Sequence, residues 1–492
     1  MKNARSFILA LAPLLLAACA LQSPPASVSA NPPAQWFAPP PGGQAVAGLP
    51  HQGSLTDLTR WWEQQGDPLL VELINAAQAV SPSVATARSR IEQSRASRVA
   101  AGAALLPSLD ASASVSRGRA QPMAGATAPV GTPSQVGLQT AWELDVFGGR
   151  RDARHAAQLR YEGAQALWHD ARVLVAAEVA NQYYSLRSCE QLLRVARADA
   201  ASRGETGRLA QLSAEAGFTA PATAALARAS AADANSRATQ QAALCQLDIK
   251  ALVALSALQE LDIRSKLAAA PAGIAQAATV SIASVPAEAL AQRPDVFNAE
   301  RDVAAASADV GSAQAERYPR LSLSGSVAAN RFRSGAVSTD FTTWSIGPLA
   351  LSLPLFDGGR RAANADAAQA RYEEAAAIYR GRVRQAVREV EEALVNLQST
   401  ADRSEDARVA AEGYRASFAG TEALYKNGLA SLVDLENSRR TQLAAETALL
   451  SLQRERASAW VALYRAMGGG WTRSLEGPGG PAVATSTGPR QP

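Results

Sequence analysis

The chain has little of what most protein chemistry is built from. Its 492 residues include three histidines, three cysteines and three methionines, and aromatic side chains make up 5%. His51, His155 and His169 are scattered, no nucleophile stands at motif spacing from a base, and no glycine-rich phosphate loop follows a buried strand. No catalytic residue, cofactor-binding residue or metal ligand is therefore assigned, and an enzyme is not expected. Methionine and histidine clusters that would favour copper or silver are missing. The formal charge is +4, or +2 once Lys2 and Arg5 of the N-terminal segment are set aside. With no basic cluster interleaved with aromatics, nucleic acid is not an expected partner. Beyond the N-terminus no apolar run is long enough to cross a bilayer as a helix.

The one apolar run, Phe7 to Leu16 of MKNARSFILALAPLLLAACA, follows a basic start and precedes small residues. It reads as an export signal over residues 1–18. Leu16-Ala17-Ala18-Cys19 resembles the lipobox of bacterial lipoproteins. The resemblance implies a mature chain that begins at Cys19, with diacylglycerol on the thiol and a further acyl chain on the nitrogen. A plain signal peptide with an incidental cysteine is the other reading. Ala20 follows where an aspartate usually retains lipoproteins at the inner membrane, so the resemblance sends this anchor to the outer membrane. Residues 19–53, rich in Pro, Gly and Ser, read as an extended tether that packs no core.

Proline and glycine then reveal a duplication. Pro82 and Pro294 are 212 residues apart, as are Pro107 and Pro319; Arg150 and Arg360 are 210 apart, and Gly217 and Gly428 are 211 apart. Four landmarks in one order divide the chain into a first repeat, 54–270, a second, 271–467, and a flexible tail, 468–492. The segment LTRWWEQQGDPLLVELINAAQAV opens the folded part as one apolar helix. Pro82 and Pro294 each suit the first turn of a further helix that ends near Pro107 or Pro319.

Each repeat changes period twice. In RLSLSGSVA, Leu321, Leu323, Gly325 and Val327 alternate with small polar residues, which is strand periodicity. Strands are expected at about 108–118 and 134–146, and again at about 320–332 and 341–355, long enough to cross a membrane in a barrel. FGGRR and FDGGRR end the strand period and start a helical one. Gly148, Gly149, Gly358 and Gly359 read as strand-to-helix hinges that tolerate a sharp bend. Arg150, Arg151, Arg360 and Arg361 suit lipid headgroups, carboxylate partners or plain solvated turns. Proline is then absent from Pro133 to Pro221 and from Pro354 to Pro478. Val383, Val387, Val390, Leu394 and Leu397 step by 4, 3, 4 and 3 as in a coiled-coil seam. Residues 361–427, if one helix, would be about 100 Å long.

These long helices are expected to reverse at Gly217 and Gly428. Cys189 lies 28 residues before Gly217 and Cys245 lies 28 after it, level in an antiparallel hairpin. In an oxidising compartment that favours a disulfide over two buried free thiols. Four amphipathic strands cannot close a barrel alone, so the chain must associate with copies of itself.

The lipobox, WW…GDPLL, RPDV…AE, YPRLSLS, WSIGPLALSLPLFDGGR and NGLASLVDLENSRRTQLAAE together resemble the outer-membrane efflux channels of the TolC and OprM group, in the NodT-type lipoprotein branch. The resemblance spans nearly all of the mature chain. It implies an α+β membrane protein, a homotrimer in which three chains give four strands each to one 12-stranded β-barrel, continued by a periplasmic α-helical tunnel. The implied partners are a periplasmic adaptor, a proton-driven inner-membrane pump and outer-membrane lipid. The implied task is to export small toxic molecules. A type I protein-secretion channel would share the fold and differ in its pump. A lipid-anchored adaptor would show one hairpin with all-β domains, and a periplasmic lipoprotein enzyme would need motifs not found.

Both reversals are candidate adaptor-docking tips, with Gly217, Gly428, Ala430 and Ser431 small enough for a close backbone approach; a plain glycine cap is the alternative. Asp434 lies six residues beyond Gly428, and its counterpart in the first repeat is Thr223. The resemblance makes Asp434 a candidate periplasmic gate, a ring of three carboxylates in the trimer, with Asn437 where some members carry a second acid. Ser431-Leu-Val-Asp434 also reads as a capping box.

Overall fold

The computed structural model describes residues 23–34, 36–38, 61–64, 66–119, 130–270, 290 and 292–471. Cys19, the signal segment, residues 39–53 of the tether and the tail beyond Trp471 lie outside the described residues. In chain order the elements are α1 (Trp61–Gln64), α2 (Pro68–Val80), α3 (Pro82–Ala103), β1 (Ser108–Val115), β2 (Gly118–Arg119), β3 (Val130–Leu144), α4 (Gly149–Glu215), α5 (Pro221–Ser256), α6 (Glu260–Ala269), α7 (Pro294–Ala315), β4 (Arg320–Ser334), β5 (Val337–Ser352), α8 (Arg360–Lys426) and α9 (Leu432–Ala466), closed by a short 3-10 turn, Gly468–Gly470. The duplication is close to residue-perfect. Both α3 and α7 have 22 residues, and α4 and α8 both have 67.

The two repeats are not two domains. One compact unit draws on 1–31, 85–168 and 295–383, and the other on 32–84, 169–294 and 384–492, so each takes material from both repeats. In the first unit the strands form one antiparallel sheet in the order β1-β3-β4-β5, with β2 also on β3. The shorter helices α3 and α7 and the first turns of α4 and α8 complete it. Alanine lets these helices approach: Ala156 and Leu159 of α4 meet Ala304, Ala305 and Ala308 of α7. On another face of α7, Val303, Ala306 and Val310 meet Ala368 and Tyr372 of α8.

The second unit carries the apolar core. Leu70 and Leu73 of α2, Val179 and Leu186 of α4, Leu252 of α5, Ile263 of α6, Leu394 and Leu397 of α8 and Leu463 of α9 are all buried in one cluster. Truncating a fully buried leucine such as Leu394 to alanine removes about 2–5 kcal/mol. The expected seam is largely seen, with Val383, Val390, Leu394 and Leu397 buried and Val387 half-buried. Asp67 caps α2 by accepting from Leu69 N and Leu70 N, and it also accepts the Tyr183 hydroxyl at 2.5 Å, which docks α2 on α4. Trp61 and Trp62 pack on Tyr464, whose phenol burial pushes up to about 12.

Several expectations need correction. The opening helix is two, broken where Gly66 takes a positive φ of 69° before the Asp67 cap. The first strand is interrupted after Val115 and resumes as β2. The strands β3 and β5 begin four residues earlier than expected and stop two and three residues earlier. Their outer ends, VGTPS and VSTD, lack alternation yet continue the ladder because a partner strand is there. Their inner ends stop where Asp145 turns to the α4 N-terminus and where Pro354 has no N–H. The tether is not free over its described length. Ser307, Tyr372 and Arg380 donate to the carbonyls of Pro24, Pro25 and Ser29, Val28 packs against the α7–α8 cluster, and Glu391 accepts from Phe37 N and Ala38 N. The tail also starts later than expected, since Gly468, Gly469 and Gly470 are buried.

Cys189 of α4 and Cys245 of α5 form a disulfide across the first hairpin, with Cα atoms 5.5 Å apart. Replacing Cys245 by serine is expected to cost about 2–4 kcal/mol, read as a lower Tm of the purified protein. Alkylation of both thiols in non-reduced periplasmic material would overturn the pairing.

Candidate functional site

The sheet has two chemically opposite faces. Side chains alternate along a strand and directly opposed residues share a face, so the register sorts them. Leu144 stands opposite Leu321, Trp142 opposite Leu323 and Leu138 opposite Val327; Val327 in turn faces Trp344, Leu323 faces Leu349 and Leu321 faces Leu351. The alternate set holds Gln135, Gln139, Ser322, Ser324, Ser326, Asn330, Thr343 and Ser345, and the Ser326 and Ser345 hydroxyls are 2.9 Å apart. Over the stretch from Leu321 to Val327 one face is thus apolar and the other carries mainly hydroxyl and amide groups, with Phe332 and Phe341 joining the second face toward the β4–β5 turn. Trp344, Ile346, Leu349 and Leu351 are exposed by 74%, 85%, 61% and 70%. A water-facing sheet would not carry that patch.

The apolar band runs over the nine β3 residues from Val136 to Leu144, about 30 Å along the strand and about 23 Å vertically at a barrel tilt near 40°. Arg331 and Asp340, opposed in register and joined by bonds of 2.7 and 3.0 Å, end the band on one side. Near the other, Trp142 Nε1 donates to Leu105 O at 3.0 Å, the half-polar role indoles take at a membrane boundary. Among the described residues no single helix is long and apolar enough to cross a membrane.

At the strand-to-helix hinges Gly148, Gly358 and Gly359 have positive φ of 84°, 66° and 87°, which a side chain would strain. Gly149 acts differently from the expectation. Its φ is ordinary, but a Cβ there would come within 2.6 Å of Ala315 Cβ, so it is a close-approach site between α4 and α7. Three hinge arginines pair with carboxylates: Arg150 with Glu143, Arg151 with Asp145 and Arg361 with Asp357.

In the second unit the two long helices end alike. Gly217 and Gly428 take positive φ of 78° and 73°, and the N–H groups of Phe218 and Leu429 reach back to Ser213 O and Leu424 O, a Schellman ending. Phe218 and Leu429 are 85% and 74% exposed, so each tip presents an apolar side chain as well as small residues. Ala430 is half-buried and Ser431 exposed. Asp434 completes a capping box: its N–H donates to Ser431 Oγ at 3.1 Å, and its carboxylate accepts from Ser431 N at 3.0 Å and from the hydroxyl at 2.6 Å. Those two bonds, the hydroxyl's first, hold the Asp434 carboxyl below its usual range.

A cluster missed in the sequence joins the two hairpins close to these tips. Arg203 of α4 donates to Asp199 at 2.8 Å, to Ser230 of α5 at 2.6 Å and to Glu436 of α9. Arg439 of α9 donates to Glu436 at 2.5 Å and to Ser202 and Thr206 of α4 at 3.0 and 3.2 Å, and stacks on Phe418 of α8. Arg439 is 2% exposed, and burial pulls its pKa down from the ordinary guanidinium value. The readable signal was Arg439 itself, a charge on the buried Leu432, Leu435 stripe at helical spacing. Beyond Glu436 on its own helix, its partners come from α4 and α8, which no local pattern connects.

Removing one member of a buried charge cluster leaves its partners uncompensated. Glu436→Ala is expected to cost about 3 kcal/mol by that mechanism, and to raise amide exchange selectively over residues 199–206 and 432–440. Unchanged exchange there would show that the cluster does not hold the hairpins together. Ser431→Ala is expected to cost about 1 kcal/mol as a lost cap, with fraying confined to the start of α9.

The profile of the family described as outer membrane efflux protein matches residues 73–278 and 285–469. The chain is 29% identical to the solvent efflux pump outer membrane protein SrpC of Pseudomonas putida, over 94% of this chain and 97% of that protein. It is 30% identical to the pyoverdine export outer membrane protein OpmQ of Pseudomonas putida strain KT2440, over 93% and 96%. Among solved structures, the open state of the Neisseria gonorrhoeae MtrE outer membrane channel is similar with a TM-score of 0.75 at 25% identity, over 93% of this chain and all of that one. A profile that takes in both repeats and relatives aligned nearly end to end meet the amphipathic sheet on common ground: the chain belongs to the outer membrane efflux protein family.

Proposed function

We propose that three copies of this chain form the outer-membrane channel of a tripartite efflux system, which takes small toxic molecules from an inner-membrane pump through a periplasmic adaptor to the outside. The observation that carries this is the sheet, with one apolar face, one face mainly of hydroxyl and amide groups, and, among the described residues, unpaired edges at β1 and β5. In lipid every backbone N–H and C=O needs a partner, so the edges must meet those of other copies. Three copies supply twelve strands, which at about 4.8 Å spacing and about 40° tilt close at a backbone radius of about 12 Å. The polar face then lines a wide aqueous lumen. The helical hairpins form the periplasmic tunnel, and their tips, with Phe218 and Leu429 exposed, meet the adaptor. Relatives named for solvent and pyoverdine export support a small-molecule cargo.

Asp434 has a second role in this reading. Three carboxylates converging on the tunnel axis repel one another and attract cations, while the same groups cap α9 within each copy. The Glu436 cluster sets how rigidly the two hairpins of one copy move together. No step of this task is chemical, and the chain acts as a channel and not as an enzyme.

The lipid on Cys19 belongs to the same proposal. The side chain of Ser23 lies against α7, since a Cβ on Gly311 would come within 2.6 Å of its Oγ. Four residues reach at most about 14 Å, and Gly311 is one turn from the end of α7, just before β4 starts. Acyl chains on Cys19 are therefore within reach of the level where the apolar band begins.

The purified protein should run as three chains by native mass and conduct in a planar bilayer, and Asp434→Ala should weaken cation block. A monomer without conductance would sink the reading. Metabolic labelling with an alkynyl fatty acid should mark the wild type and not Cys19→Ser, and an unlabelled wild type of normal abundance would remove the anchor.

A further inference from the structure

At the ends remote from the helices, the strands carry their charge on one face. Val136, Leu138, Trp142 and Leu144 mark the apolar face of β3, and the same alternation continues outward through Ser134, Thr132 and Val130. Arg331 stands opposite Ser134, Arg333 opposite Thr132 and Arg119 opposite Val130. Strands β1 and β2 keep one register on β3, from Val115 opposite Ser134 to Gly118 opposite Gly131, and between them Ser116 N donates to Pro133 O at 3.0 Å. That register sets Arg117 level with Thr132. Four exposed arginines therefore stand on the apolar side, just past the apolar band. At the same level the second face carries Pro133, Phe332 and Phe341, none of them charged.

The chain offers these arginines little to pair with. Asp340 is the sole acid in residues 111–134 and 320–352, and Arg331 already holds it through bonds of 2.7 and 3.0 Å. Further copies bring the same excess of cations, so assembly does not neutralise it. The hinge end differs, since Arg150, Arg151 and Arg361 each have a carboxylate there. Arg117 and Arg333 flank Thr132 from the strands on either side, about 10 Å apart at two strand spacings. Arg119 lies one pleat further out. An anion from outside the protein is what such a group lacks.

The level of the group identifies the anion. Arg331 and Arg333 stand opposite residues two and four positions beyond Val136, about 5 and 10 Å past the last apolar side chain at a barrel tilt near 40°. Lipid headgroups occupy about 5–7 Å outside the hydrocarbon on each side. We infer that Arg117, Arg119 and Arg333 bind the phosphate groups of an anionic lipid in the outer leaflet. Guanidinium groups take phosphate through paired N–H donors, and their apolar stems can lie along the barrel wall. The same lipid's acyl chains meet Val136, Leu138 and Trp344 directly below, which free phosphate has no use for. The inference rests on the proposed outer-membrane channel and adds a lipid ligand to its rim.

The test uses the full-length trimer in detergent, wild type and a variant combining Arg117→Gln, Arg119→Gln and Arg333→Gln, titrated with bisphosphorylated lipid A and read by native mass spectrometry. The wild type should retain the lipid and the variant should bind about tenfold or more weakly, since one basic group near an anionic lipid surface contributes about fivefold. Arg333→Gln alone should fall between them, and it carries the test if the triple variant does not assemble. Lipid A stripped of both phosphates should not distinguish wild type from variant. Equal retention of bisphosphorylated lipid A by conducting trimers of both overturns the inference and leaves the channel reading standing. Displacement of the lipid by an equal concentration of inorganic phosphate would make the rim a free-anion site, and polyglutamate held as tightly as lipid A would make it a protein-docking surface; either result overturns the lipid assignment. A wild-type monomer without conductance overturns both readings.

Discussion

A backbone amide in hydrocarbon has no water to turn to, and the rest of this structure depends on that constraint. Among the described residues four strands satisfy one another only internally, which leaves β1 and β5 each with an unpaired edge. An open edge facing water is an aggregation hazard, and one facing lipid costs several kcal/mol for each unpaired group. Closure by copies removes both costs. It also decides the side-chain pattern, because a closed sheet has an outside in lipid and an inside in water, and the Leu/Trp and Ser/Gln faces follow from that.

The hinges transmit this constraint to the helices. A strand that leaves the sheet must turn sharply into α4 or α8, and the carboxylates of Asp145 and Asp357 fix the turn by accepting the first helical N–H groups. Helices of 67 residues bury too little on their own to stay ordered, so the shorter α3 and α7 and the returning α5 and α9 supply lateral partners. Alanine at Ala156, Ala304, Ala305 and Ala368 keeps the axes close without large side chains. Large apolar residues gather in the second unit instead, around Leu70, Tyr183, Leu394 and Trp460.

Proline and glycine made most of the architecture legible in the sequence, since each records a backbone requirement that survives without knowledge of neighbours. Pro82, Pro294, Gly217 and Gly428 stand where helices begin or reverse. Strand periodicity gave the apolar band but not the strand ends, because residues such as Gly131 and Thr132 are held by a partner's hydrogen bonds and not by their own hydropathy. The docked tether escaped notice for a related reason. Its main-chain carbonyls take the bonds, and a proline-rich sequence shows no sign of what will donate to them. Gly149 was found for the wrong reason, its neighbour Ala315 being 166 residues away.

Where the repeats differ, they differ in what a duplicated unit needs only once. The cysteines at 189 and 245 correspond to Thr400, buried with its hydroxyl on Leu397 O, and to Arg456, so only the first hairpin is covalently tied. The charge cluster is equally one-sided. Asp199 and Arg203 correspond to Ala410 and Tyr414, and Glu436 and Arg439 to Ala225 and Arg228. Shifted by one repeat, the joint keeps a single cation and loses both acids. The strong electrostatic tie therefore lies between the two hairpins of one chain, through two acids, Asp199 and Glu436, that have no counterpart in the other repeat.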